Sequence, residues 1–186
     1  MKQLFLTALF LLNIFTSGLA YAEKADGSKA TDIAADQMTY DDVKQINTFT
    51  GNVILTRGSL LMKAARVVVV QDRAGYQSAT MYAAPGALAT FRQKRDGGAD
   101  LWVEGQAERI EYDGRAELVK LFSKAKLRRL ESTRATDEVE GDFISYDTQA
   151  EFISVNNNAP GAKPGTGRIK AVIQPRIEQK PEPKAQ

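Results

Sequence analysis

Cysteine and histidine are both missing from this sequence. Zinc and copper sites are normally built from those two residues, so such metal centres are excluded. Ser-His-Asp and Cys-His nucleophilic centres go with them. Histidine is also the commonest general acid–base, which argues against a hydrolase, although a carboxylate pair, a Ser-Lys pair or calcium remain available to the composition. No disulfide can staple the chain, so the fold must rest on core packing and sheet hydrogen bonds. No cofactor is expected.

A dominant charge is lacking too. Lys and Arg number 25 against 23 Asp and Glu, for a net charge of +2, and the two signs are interspersed. That is no footprint for a nucleic acid, and none is expected as a partner. The third absence is an apolar run long enough to cross a bilayer. The run Leu4–Phe15, interrupted by Thr7 and Asn13, is about 12 residues, against roughly 20 for a spanning helix. It follows Lys2 and precedes Leu19-Ala20-Tyr21-Ala22, a small-residue cleavage pattern. These features predict a secretory signal peptide over residues 1–22, cleaved after Ala22. With no cysteine, a lipid-modified anchor is not expected.

What remains reads as strand. Short runs rich in β-branched and aromatic residues recur at Thr48–Thr56, Ala65–Gln71, Ala87–Arg92, Leu101–Glu104, Arg109–Tyr112, Glu117–Phe122, Ala125–Leu130, Phe143–Tyr146, Glu151–Val155 and Arg168–Gln174. Turn signals separate them, among them Asp41-Asp42, Arg57-Gly58, Pro85-Gly86, Asp113-Gly114 and Asp147-Thr148. The four consecutive valines Val67–Val70 favour a strand through their stiff χ1. Gly105–Lys126 has helix-forming composition, but Asp113-Gly114 breaks it and Arg109–Tyr112 alternates with period two, so two strands and a turn are expected. Many short strands with frequent turns predict an all-β sandwich, jelly roll or barrel. One domain over 23–177 is expected, followed by a charged, Pro-rich tail at 178–186 that is expected to be disordered.

The chain also repeats itself. Ala35-Asp36-Gln37-Met38-Thr39-Tyr40-Asp41 and Ala107-Glu108-Arg109-Ile110-Glu111-Tyr112-Asp113 both read Ala, acid, apolar two positions on, then Tyr-Asp. Gly141–Asp147 keeps the Tyr-Asp, and Ala65–Asp72 is a degenerate copy. Phe49-Thr50-Gly51-Asn52 sits where Phe122-Ser123-Lys124-Ala125 falls in the later copy, which matches Lys124 to Gly51. Self-similarity at about 30–40 residues predicts strand pairs that stack on their neighbours.

These segments carry a resemblance. Ala35-Asp36 with Tyr40-Asp41, Phe49–Gly58, Ala64–Val69, Gly86–Gln93 and Val139–Tyr146, in that order, resemble the LptA/OstA family of lipopolysaccharide transport proteins over roughly Thr31 to Pro175. The resemblance implies a slightly twisted, open antiparallel β-jelly roll, V-shaped in cross-section. It implies a periplasmic bridge protein that carries lipopolysaccharide from the inner to the outer membrane and so contributes to outer membrane assembly. It further implies an inner-membrane-anchored LptC-like partner at one sheet edge, an LptD-like outer-membrane partner at the other, and end-to-end association of copies. The edge strands expected to serve these contacts are Asp32–Met38 and Arg168–Gln174.

Moving acyl chains through water is costly, at roughly 0.8 kcal/mol per exposed methylene. Strand alternation provides an apolar face to hide them. Phe49, Val53 and Leu55 share one face against Thr50, Asn52 and Thr56. Ile110 and Tyr112 alternate with Arg109, Glu111 and Asp113, and Tyr146 with Ser145. The same pattern also builds an ordinary closed core, and alternation does not separate the two. By resemblance, Thr31, Ile33, Phe91 and Tyr112 are the lipid-lining positions. Phe49, Val53, Leu55, Ile110 and Tyr146 join them by their shared faces. Two basic groups, Arg92, Lys94 and Arg95, and Lys124, Lys126, Arg128 and Arg129, either meet lipid phosphates or form a solvated outer face.

Three rival functions stay open on the sequence. A related bridge component, such as LptC or a detached LptD domain, would need an anchor or a following barrel. A periplasmic enzyme would use Asp41, Asp42, Asp113 or Asp147, but their place after Tyr at turns fits backbone capping. A structural adaptor without a lipid ligand is the third.

Overall fold

The computed structural model describes Asp26 and residues 29–98, 100–157 and 167–175. The expected signal peptide and the charged tail lie outside the described residues. Twelve strands are described, all paired antiparallel in one continuous network. They are β1 (Asp32–Ala34), β2 (Gln37–Asp41), β3 (Ile46–Arg57), β4 (Leu60–Gln71), β5 (Gln77–Tyr82), β6 (Ala89–Lys94), β7 (Leu101–Ala107), β8 (Arg109–Asp113), β9 (Leu118–Glu131), β10 (Arg134–Asp147), β11 (Phe152–Val155) and β12 (Lys170–Ile173).

The long strands β3, β4, β9 and β10 each divide between two layers. The first half of β3 pairs with β2 and the second half of β4, which continues to β5, β8, the first half of β9, the second half of β10 and β11. This is layer I. The second half of β3 pairs with β1 and the first half of β4, which continues to β6, β7, the second half of β9, the first half of β10 and β12. This is layer II. The chain passes between layers along a single line. At the far margin of each layer it turns back in hairpins. The molecule is therefore a sheet folded over on itself, a slightly twisted open β-jelly roll with its apex on the crossing line and its open side between the hairpin margins.

Bulges make the fold line. β3 shifts register at Gly51-Asn52 (φ 82° and 46°) and β9 at Ser123-Lys124 (φ 63° and 53°). Such bulges bend and twist a strand. An acidic residue stabilises each. The Asp36 amide donates to the Gly51 carbonyl at 3.0 Å, and Asn52 Nδ2 donates to Asp36 Oδ2 at 3.0 Å. The Glu108 amide donates to the Ser123 carbonyl at 3.0 Å, and Lys124 Nζ lies 3.0 Å from Glu108 Oε1. The repeat is thus real in three dimensions. Its register corrects the sequence match by one residue: Gly51 corresponds to Ser123, and Lys124 to Asn52. No bulge is lost by the absence of glycine, because a left-handed Ser-Lys pair is held by Glu108.

The Tyr-Asp turns, and the Asp72 turn of the degenerate copy, behave as turn chemistry requires. Asp41 Oδ1 accepts the Lys44 amide, Asp72 Oδ1 those of Ala74 and Tyr76, Asp113 Oδ1 those of Arg115 and Ala116, and Asp147 Oδ1 that of Ala150. All four hairpins close on a residue with positive φ, at Gln45, Gly75, Glu117 and Glu151. Several strand boundaries differ from expectation. Glu117–Phe122 and Ala125–Leu130 are one strand, β9, carried across its bulge. Asp32–Met38 is two strands, because the chain changes layers at Asp36. β5 was not foreseen, since Gln77, Ser78 and Thr80 are polar, and Gln77 and Ser78 are exposed.

The layers meet on one apolar core. Phe49, Val67, Met81, Ile110, Leu121, Ile144 and Tyr146 come from layer I, and Val53, Leu55, Met62, Phe91, Val103 and Leu127 from layer II. Small residues near the fold line, Ala89, Gly105, Ala107 and Ala125, let the layers converge. Gly105 faces Phe91 across the β6–β7 pair. A Cβ built there would stand 2.1 Å from Phe91 Cε1.

Candidate ligand groove

A cavity of about 200 Å³ opens between the margins near the β1 end. Layer II contributes Ile33, Leu55, Leu60 and Met62 to it, and layer I contributes Phe49, Val69, Ala79 and Tyr112. Polar groups gather at its walls: Thr31, Asn47, Arg57, Gln77 and Ser78. Arg57 Nη2 donates to the Tyr112 hydroxyl at 3.2 Å, and the guanidinium carbon stands 5.6 Å from that ring's centre. An apolar cavity of roughly 150 Å³ holds a benzene-sized guest. This one therefore admits an apolar guest the size of a short hydrocarbon segment and no more.

Five of the expected lining residues are brought together here: Thr31, Ile33, Phe49, Leu55 and Tyr112. Thr31 is exposed, Ile33 and Tyr112 are half-buried, and Phe49 and Leu55 are buried. The other four lie deeper. Val53, Phe91, Ile110 and Tyr146 are buried in the joined core, at 1%, 3%, 0% and 0% exposure. They form the floor toward the fold line and do not line the cavity. Leu60 and Met62 were missed because β4 starts earlier than its valine run; their alternation with Leu61 and Lys63 is the signal that would have found them. Arg57 was also missed, although its parity with Val53 and Leu55 points it inward.

The basic groups divide by face. On the outer face of layer II, Glu104 accepts Arg92 at 3.1 Å and Arg128 at 2.7 Å, while Lys126 meets Glu138 at 2.6 Å and Glu140 at 3.1 Å. Arg92 and Lys94 lie over the Trp102 ring at 4.2 and 5.3 Å. These are ion-paired outer-face residues. Arg95 and Arg129 instead point inward, and both reach Glu151 across the open side.

The hydrogen bond to Glu138 holds the Lys126 pKa above the ordinary lysine value, with Glu140 adding to the effect and partial burial opposing it. A raised folded pKa means that the folded state binds this proton more tightly than the unfolded chain does. The resulting stability is complete below the unfolded pKa of about 10.4 and is lost as pH rises through the folded value. Lys126→Gln is expected to lower the urea midpoint at pH 8 by the equivalent of about 1 kcal/mol or less. The gap to wild type should close as pH is raised past 10.4; a gap that stays constant would show that the ammonium contributes nothing.

Both ends of each layer are unpaired among the described residues. β1 and β2 end the layers on one side, with Met38 and Tyr40 exposed, and β12 and β11 end them on the other, with Val172, Ile173 and Phe152 exposed. No group of three or more metal-ligating side chains occurs among the described residues.

Comparison with known proteins agrees with this architecture. The family model described as LptA/(LptD N-terminal domain) LPS transport protein matches residues 32–152. The lipopolysaccharide export system protein LptA of Haemophilus influenzae is 34% identical over 112 residues, 60% of this chain and 62% of that protein. Its Escherichia coli K12 counterpart is 36% identical over 94 residues, 50% of this chain and 49% of that protein. The chain thus spans about half to three-fifths of the length of these relatives. The crystal structure of LptH, the LptA-homologous periplasmic component of the lipopolysaccharide transport device of Pseudomonas aeruginosa, superposes with a TM-score of 0.71 at 25% identity, covering 81% of this chain and 99% of that one. The two-layer folded sheet, the paired bulges and the match over residues 32–152 together place this chain in the LptA/LptD N-terminal domain family of lipopolysaccharide transport proteins.

Proposed function

We propose that this chain is a periplasmic carrier that holds the acyl chains of lipopolysaccharide in its groove and passes the lipid from the inner toward the outer membrane. The observation that carries this reading is the cavity itself. It is walled by apolar side chains of both layers, and it opens to the side where the sheet is not closed. A sealed sandwich would have no such opening. No catalytic step belongs to the reading. Of the four carboxylates the enzyme reading named, Asp41, Asp113 and Asp147 cap their own turns, and Asp42 accepts the Tyr40 hydroxyl and the Gln45 side-chain amide.

On the same reading, residues 1–22 direct export and are removed after Ala22, residues 23–177 form the carrier and 178–186 its tail. The free edges are the docking places for an LptC-like partner, an LptD-like partner and further copies of the chain. Strand addition satisfies an edge's backbone groups while extending the groove from one molecule into the next. The exposed apolar side chains on β2 and β12 support this assignment.

Photocrosslinking tests the groove. Probes at Ile33, Leu55 and Tyr112 are expected to label lipopolysaccharide, and probes at the outward Asn52 and Glu111 are not. Equal labelling at all five positions, or none at any, would mean that the apolar faces serve only as core, and an adaptor without a lipid ligand would take this reading's place.

A further inference from the structure

Three arginines of layer II face the interior along the open side. Arg57 continues the inward alternation of Val53 and Leu55 on β3, Arg95 that of Phe91 and Gln93 from β6, and Arg129 that of Ala125 and Leu127 on β9. Layer II runs β1-β3-β4-β6-β7-β9-β10-β12, so an arginine stands on every second strand. With neighbouring strands about 4.8 Å apart, the strands these arginines extend from lie roughly 10 Å apart.

Each side chain reaches across to layer I. Arg57 donates to the Tyr112 hydroxyl at 3.2 Å, Arg95 to the Glu151 carboxylate, and Arg129 to the Glu151 carbonyl. Among the described residues, the Nε of all three is buried with no hydrogen-bond acceptor. Beside Arg95 and Arg129 a cavity of about 500 Å³ also meets Arg134, Glu131 and Asp137, of which Arg134 and Glu131 pair at 3.3 Å. A guanidinium presents five donors in a planar fork suited to phosphate. Here one carboxylate, one carbonyl and one phenol stand in for the acceptors that three such forks could take.

We propose that Arg57, Arg95 and Arg129 form a row of phosphate sites for an acylated amphiphile, and that Tyr112 and Glu151 hold their guanidinium groups until phosphate displaces them. The proposal rests on the carrier reading above. Acyl chains entering from the open side leave the anionic head group at the mouth, since an unpaired charge is costly to bury. The first cations it meets there are these three. Transfer of Arg95 and Arg129 from Glu151 to phosphate unties one margin from the other. That lets the V widen, which a cavity of about 200 Å³ requires before whole acyl chains can enter.

The test is equilibrium binding of the chain to lipopolysaccharide, to the same lipopolysaccharide stripped of phosphate, and to inorganic phosphate alone. Arg95→Gln/Arg129→Gln is expected to bind the phosphorylated lipid roughly tenfold more weakly or worse, with the stripped lipid unaffected. Glu151→Gln removes the charged competitor for Arg95, leaving the carbonyl that Arg129 meets, and is expected to bind the phosphorylated lipid more tightly. Arg92→Gln, on the outer face, serves as control and should match wild type. Arg95→Gln/Glu151→Gln loses both partners together, so it guards against misfolding caused by a stranded carboxylate; its thermal melt should follow wild type, and its binding should fall below that of Glu151→Gln. Equal affinity of wild type for both lipids, or no gain in Glu151→Gln, overturns the phosphate row and leaves the groove standing. Inorganic phosphate binding as tightly as the phosphorylated lipid overturns it in favour of a free-anion site. Binding of neither lipid overturns the carrier reading, and the row with it.

Discussion

Replacing Gly105 with valine is expected to destabilise the fold by about 3 kcal/mol, the upper end of what overpacking a core usually costs. A Cβ at this position would lie 2.1 Å and 2.8 Å from two atoms of the Phe91 ring and 2.9 Å from Leu121 Cδ2. Both neighbours are buried and hemmed in by the opposite layer, Phe91 at 3% exposure and Leu121 at 0%. Neither is a flexible chain end that can swing into solvent. The ring must leave its place over the β6–β7 pair, and the layers must part near the fold line. Thermal unfolding followed by far-UV circular dichroism measures the effect, expected as a fall in midpoint of roughly 10 °C for a domain of this size. A midpoint within 2 °C of wild type would mean that the layers do not converge at Gly105 as described.

On the carrier reading, Leu55→Asp is expected to weaken lipopolysaccharide binding about a hundredfold. Leu55 projects into the cavity from the layer II margin, opposite Tyr112, and is 5% exposed. A carboxylate there draws water into the groove and ends the burial of the acyl segment beside it. Losing about four buried methylenes at roughly 0.8 kcal/mol each gives about 3 kcal/mol, or two orders of magnitude in affinity. Leu55 also belongs to the shared core, so the new carboxylate costs folding stability as well, and binding is compared only where the circular dichroism spectrum is intact. Leu55→Met, which keeps shape and polarity, should bind as wild type does. Undiminished binding by Leu55→Asp, with an intact circular dichroism spectrum, would move the lipid elsewhere on the molecule.

Much of the fold is legible in the residues because its causes are local. Alternation assigns Phe49, Val53, Leu55, Ile110 and Tyr146 to one side of their strands, and all five are buried there. Asp at the end of each Tyr-Asp motif caps its own turn whatever the rest of the chain does. The Asp36 and Glu108 motifs recur because each bends a strand pair at the same kind of bulge. The ligand groove was only partly legible. Phe49, Leu55 and Ile110 carry the same apolar signature, yet two of them line the cavity and one lies in the floor. The basic groups show the same limit. Arg92 and Arg95 are neighbours in sequence but occupy opposite faces, so one is spent on Glu104 outside and the other on Glu151 across the mouth.

The sequence by itself determined that this chain is all-β, that it lacks the residues for zinc, copper or histidine chemistry, that its hairpins turn on aspartate, and that it resembles the LptA/OstA family. Only the tertiary structure decided which half of each long strand belongs to which layer, where the groove opens, and which arginines look into it. The reason is physical. A residue's face follows from a period of two along its own strand, whereas its layer follows from partners far away in sequence. The pairings of β4 with both β5 and β6, and of β9 with both β7 and β8, are equally good locally for either layer. They are settled only when both layers close on a shared core.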